Sequence, residues 1–154
     1  MYFWEGDYDA AIEEAQKSLE LNPDFPIGLY VLGCGYAAKG RYEAAIETHR
    51  KARAISPDFG WGLGQTYALA GRREKALEVA AELESQAKVW DSFGLAEIYT
   101  ALGETDETFR WLEAAFQQRH PYIQWLRRDG SFDPLRDDPR YNDLAKRLNL
   151  PPEE

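Results

Sequence analysis

Reactive and metal-binding side chains are scarce in this sequence. Its 154 residues include one cysteine, Cys34, and two histidines, His49 and His120. A lone cysteine excludes an internal disulfide and a cysteine-based metal cage, and it is compatible with a reducing compartment. Neither histidine has a cysteine or a paired acid at a metal-ligand spacing. Basic residues are also in deficit: 18 Lys and Arg against 27 Asp and Glu leave a formal charge of −9. The clustered cations that hold a phosphate backbone are therefore missing, and nucleic acid is not expected as a partner. No apolar run approaches the roughly 18 residues of a membrane span, and Met1 to Glu5 lacks the charge and cleavage pattern of a signal peptide. The sequence predicts no membrane partner and a cytoplasmic location.

What is present is apolar and aromatic. Hydrophobic residues make up 44% and aromatics 14% of the chain, enough for one globular domain with a real core. One stretch, Gly33-Cys34-Gly35-Tyr36-Ala37-Ala38, spells G-x-G-x-x-A, the wording of a dinucleotide-binding turn. That chemistry needs a strand entering the glycines and a helix beginning at them, with unbonded amides facing a pyrophosphate.

The context is different. Leu32 to Gly40, Leu63 to Gly71 and Leu95 to Gly103 each read Leu-small-x-x-Tyr-x-x-x-Gly, and Tyr2 stands four residues before Gly6 in the same way. The four tyrosines, Tyr2, Tyr36, Tyr67 and Tyr99, are 34, 31 and 32 residues apart. A period in this range marks a solenoid of repeated supersecondary units. Leu29, Leu32, Gly33 and Tyr36 fall at i, i+3, i+4 and i+7, one face of a helix, with Gly33 leaving room for a partner helix. Gly40 ends that helix through positive φ, Ala45, Ile46, His49 and Ala52 form the facing stripe, and Pro57 ends the second helix. The amides of the glycine stretch are then bonded within a helix, and the nucleotide reading loses its basis. Helices are predicted at roughly 7 to 20, 25 to 39, 42 to 55, 59 to 70, 73 to 86, 89 to 102 and 105 to 119, with no strand.

The pattern resembles the tetratricopeptide repeat, whose signature is W-x2-L-G-x2-Y, then A-x3-F, then P. Residues 26 to 59 match at Leu32, Gly33, Tyr36, Ala45 and Pro57, with His49 in the phenylalanine place. Residues 1 to 25 resemble a truncated repeat that keeps Tyr2, Ala11 and Pro23. Residues 60 to 88 and 89 to 119 are degenerate repeats. The resemblance implies an all-α, right-handed superhelical solenoid of antiparallel helix pairs, forming a single domain over residues 1 to 154. Residues 120 to 154 carry Trp125-Leu126, Phe132-Asp133-Pro134-Leu135-Arg136, Asp138-Pro139-Arg140-Tyr141 and Leu150-Pro151-Pro152. They are similar to the endings that follow such repeats in bacterial and archaeal multi-domain signalling proteins. A C-terminal cap is expected there, with a helix starting at Asp138-Pro139 and packing through Tyr141, Leu144, Ala145 and Leu148.

No constellation of acids, histidines or nucleophiles predicts an enzyme, a cofactor or a metal. His49 reads as a core residue, His120 as a helix-end residue, and Cys34 as a small apolar filler. The resemblance instead implies a protein or peptide partner held in a concave groove lined by the first helix of each pair. Carried over residue by residue, the groove positions are Tyr30, Trp61 and Phe93 at the fifth place, an aromatic row, with Cys34, Gln65 and Glu97 at the ninth and Ile27, Asp58 and Trp90 at the second. None of these is Lys or Asn, so a chaperone-type carboxylate clamp is not expected. Two further possibilities stand at this level. Tyr122, Trp125 or Phe132 of the tail fills the row, or the incomplete first repeat, with Phe3 and Trp4 uncovered, pairs with a second copy to make a homodimer.

Overall fold

The computed structural model describes residues 7–86, 88 and 91–151. Seven helices run in sequence as α1 (Tyr8–Leu21), α2 (Pro26–Ala38), α3 (Tyr42–Ile55), α4 (Gly60–Leu69), α5 (Arg73–Gln86), α6 (Asp91–Ala101) and α7 (Thr105–Gln117), and α8 (Pro139–Arg147) closes the chain. Among the described residues there is no strand. The pairs α2/α3, α4/α5 and α6/α7 pack antiparallel, and α2, α4 and α6 lie side by side as the inner layer of an all-α solenoid. Phe3, Trp4 and the first tyrosine of the repeat pattern lie outside the described residues.

The repeated spelling Tyr-x-x-x-Gly has a backbone cause. Gly40, Gly71 and Gly103 have φ of 71°, 72° and 75°, the left-handed region that glycine enters without a Cβ penalty. The amide that follows each glycine donates back to the tyrosine carbonyl: Arg41 to Tyr36 at 2.8 Å, Arg72 to Tyr67 at 2.8 Å and Glu104 to Tyr99 at 2.9 Å. This is the six-to-one bond of a Schellman turn, which satisfies a carbonyl that the helix end leaves open. Arg119, with φ of 53°, makes the same turn without glycine, and His120 N–H donates to Ala115 O at 2.8 Å.

Between the paired helices, small residues set the spacing. Gly33 of α2 stands against the imidazole of His49 on α3, where an added Cβ would come within 2.6 Å of the ring. Gly62 of α4 meets the same ring from the other side, at 2.7 Å. His49 is 1% exposed, so the expected core histidine is fully enclosed. Gly35, which no repeat rule demands, packs on Ile12 of α1, where a Cβ would fall 2.5 Å away. Ion pairs repeat with the array: Asp9 with Lys39, Glu43 with Arg72, Asp58 with Lys88 and Arg73 with Glu104 join residues 29 to 31 positions apart. All four are exposed pairs, each of which contributes at most about 1 kcal/mol. The array is held by its apolar layers.

Past α7 the chain forms two short 3₁₀ segments, Pro121–Trp125 and Gly130–Leu135, before α8. These lack helical periodicity, and the sequence reading does not anticipate them. Asp138 caps α8 by accepting from Arg140 N–H at 2.9 Å. Tyr141, Leu144, Ala145 and Leu148 are buried as expected. Leu126 and Phe132 are 0% exposed in a core shared with Phe93, Phe109 and Leu112. The tail is thus an integral layer of the fold, since truncating a phenylalanine at such a site costs about 3–5 kcal/mol.

Candidate functional site

The tail crosses the inner layer and divides it. Phe132 meets Phe93 of α6 edge-on at 5.3 Å between centroids, and His120 stacks on the same ring at 5.6 Å and 12°. Phe93 is therefore 3% exposed. Of the row, Phe93 is the ring that the tail covers, through a long-range contact that the repeat pattern alone does not supply. The tail is pinned at two further points. Gln65 Nε2 donates to Ser131 Oγ at 2.9 Å, and the Glu97 and Asp129 carboxyl groups lie against each other.

Glu97 and Asp129 are 6% and 2% exposed. Two ionised carboxylates enclosed side by side repel, which favours the protonated form of the pair. Burial, then the charge and hydrogen bond of Asp129, push Glu97 well above the usual carboxylate range. Asp129 is also raised, chiefly by burial, while its hydrogen bonds to Ser131 and Glu97 oppose the shift. Cys34 is equally enclosed at 6% exposure. Desolvation drives its thiol far above its ordinary value despite a hydrogen bond with Tyr30, and the thiol is inert as a nucleophile.

On one side of the tail lies a hollow of about 340 Å³ touched by Cys34, Gln65 and Ser131. On the other lies a larger, mostly apolar cleft of about 520 Å³. One wall of the cleft is an aromatic cluster on the inner helices. Trp61 Nε1 donates to the Tyr30 hydroxyl at 3.0 Å, and Phe59 stacks on Trp61 at 5.6 Å and 30°. The opposite wall is Phe93 with His120, Tyr122 and Trp125 of the tail. Ile27 and Tyr122 remain 52% and 45% exposed at the rim, where Asp58, Lys88 and Asp91 supply charge.

Gly94 lets the two aromatic groups approach, since a Cβ there would stand 2.5 Å from Trp61 Cβ. His120 Nδ1 accepts from Tyr122 N–H at 3.2 Å. The imidazole thus caps the 3₁₀ segment through an acceptor nitrogen, in place of the helix-dipole role read from the sequence.

Of the predicted groove residues, Tyr30, Trp61 and Phe93 meet around this cleft, and Glu97 reaches its floor. Cys34 and Gln65 belong to the smaller hollow. Trp90 lies outside the described residues. Sequence reasoning missed Phe59, His120 and Asp91. A third hollow, of about 560 Å³, lies on the outer surface near Arg50, Arg53 and Lys75, and its two arginines are already engaged. Arg53 pairs with Glu82, and Arg50 donates to the Tyr67 hydroxyl. Among the described residues no group of His, Cys, Asp and Glu could hold a metal ion, and no helix is long and apolar enough to cross a membrane.

Helix pairs stacked around a shared inner layer define a helical-repeat scaffold. Residues 29–60 and residues 2–25 match the tetratricopeptide repeat, each through a separate repeat family. The chain thus carries tetratricopeptide repeats over these residues, and such repeats generally serve protein–protein interaction. No curated protein matches the sequence.

Proposed function

We propose that this protein binds a peptide or protein segment in the cleft between the Tyr30/Phe59/Trp61 cluster and the tail residues Tyr122 and Trp125, and that it works as the interaction module of a larger regulatory or signalling protein. The observation that carries the reading is the cleft itself, an apolar, aromatic hollow of about 520 Å³ in a chain of formal charge −9. Pockets of this size lined by aromatic side chains suit apolar anchors from a partner. Ile27 and Tyr122 stand exposed on facing rims without a role in the core.

The test is selection from a displayed random peptide library against the full chain, followed by Ile27→Glu. Selected peptides should weaken at least about tenfold on the variant, as expected when a charge enters an apolar anchor site. Equal binding to both proteins would remove the cleft from the account.

A further inference from the structure

Asp91 opens α6 at the mouth of the cleft. It is 3% exposed, and its Oδ2 has no hydrogen-bond partner among the described residues. Buried carboxylate oxygens are almost always paired, because an unpaired one forfeits its hydration without return. Burial pushes the acid's pKa up, with Lys88 opposing the shift. That lysine is already engaged, its Nζ lying 2.8 Å from Asp58 Oδ1. The rim therefore holds two acids and one spoken-for cation, in a chain of formal charge −9. An acidic or phosphorylated segment would meet like charge there. A cation would meet an unanswered acceptor at the edge of an apolar hollow.

We propose that the cleft recognises a segment in which a lysine or arginine side chain lies beside the apolar anchor, with its cation pairing with Asp91 Oδ2. The proposal rests on the peptide-binding reading above and specifies the partner's chemistry. The cation restores the missing partner of Asp91 while the anchor occupies the aromatic walls. Arginine suits the geometry best, since its fork can serve Asp91 and stack on a neighbouring ring.

Peptides selected against the full chain from a displayed random library test it. The expected result is enrichment of Lys or Arg at a fixed spacing from an aromatic or aliphatic residue. Replacing that residue by citrulline or norleucine should weaken binding at least about tenfold on the wild-type chain. On Asp91→Asn, which keeps the size of the side chain, the same replacement should change binding less than roughly twofold. Peptides that bind equally well when neutralised overturn the proposal and leave the cleft reading intact. A neutralisation effect that persists undiminished on Asp91→Asn overturns the assignment to Asp91. Recovery of no peptide sensitive to Ile27→Glu overturns both readings. Should Asp91→Asn fail to fold, equal binding of the neutralised peptides to the wild-type chain still overturns the proposal.

Discussion

The indole of Trp61 donates to the hydroxyl of Tyr30 across 3.0 Å, joining equivalent positions of two neighbouring repeats 31 residues apart. It ties the two rings together inside a largely aromatic wall and fixes how that wall is presented. Tyr30→Phe removes the acceptor and leaves a part-buried N–H unanswered, at a cost of about 1–3 kcal/mol. Chemical denaturation should show that loss, and the Trp61 indole resonance should move toward the position of a solvent-bonded indole. An unchanged resonance would place the hydrogen bond outside the folded state's needs.

The His49 imidazole between Gly33 and Gly62 predicts a reversal of ordinary helix propensity. Glycine to alanine in a helix interior normally stabilises by roughly 0.5–1 kcal/mol. At Gly33 the new methyl would enter the ring's space, and overpacking of this kind costs about 1–3 kcal/mol. Gly33→Ala should therefore lower the thermal midpoint. A raised midpoint would mean that α2 and α3 can move apart without loss.

Arg119 holds the backbone conformation that glycine takes at the ends of α2, α4 and α6. A non-glycine residue in the left-handed region bears a strain of about 1–2 kcal/mol. Arg119→Gly should raise stability by up to about 1 kcal/mol, and Gly71→Ala should lower it by a similar amount. Paired unfolding curves check both signs.

The Glu97 and Asp129 pair gives stability a pH dependence with a defined sign. A carboxyl raised in the folded state holds its proton where the unfolded chain has lost it. Its stabilisation is therefore complete below the ordinary carboxyl value, near 4, and is lost as pH rises through the raised value. His49 works in the opposite direction. Burial lowers it to about 4, so its contribution is complete above about 6.5 and falls away as pH drops toward 4, by on the order of 3 kcal/mol. The two slopes overlap, and Glu97→Gln separates them. As pH rises above the ordinary carboxyl value the variant should gain on the wild type, because position 97 no longer titrates. Parallel curves would contradict the raised Glu97 carboxyl.

Much of this was legible in the sequence because the repeat states it several times. Tyr36 and Gly40 recur as Tyr67 with Gly71 and Tyr99 with Gly103, and those spacings alone locate three helix ends. His49 reads as core because its place in the repeat is a core place. The 3₁₀ segments of the tail have no period to read, and their contacts are distant in sequence. Phe93 meets Phe132 and Glu97 meets Asp129 through tertiary closure, which local pattern does not encode. Trp61 and Tyr30 could be carried over from repeat positions, whereas the tail's share of the cleft could not. Asp91 reads as an ordinary helix-start acid in the sequence. Only its enclosure, with an oxygen left unpaired, distinguishes it from the other acids that begin helices here.

The most direct measurement is a titration of isotope-labelled protein with a library-selected peptide, followed through the Trp61 indole, the side chains of Ile27 and Tyr122, and the outer residues Arg50 and Lys75. The account predicts shifts concentrated at Trp61, Ile27 and Tyr122, with Arg50 and Lys75 unmoved. Shifts confined to the outer surface, with the Trp61 indole unchanged at saturation, would contradict the cleft as the binding site.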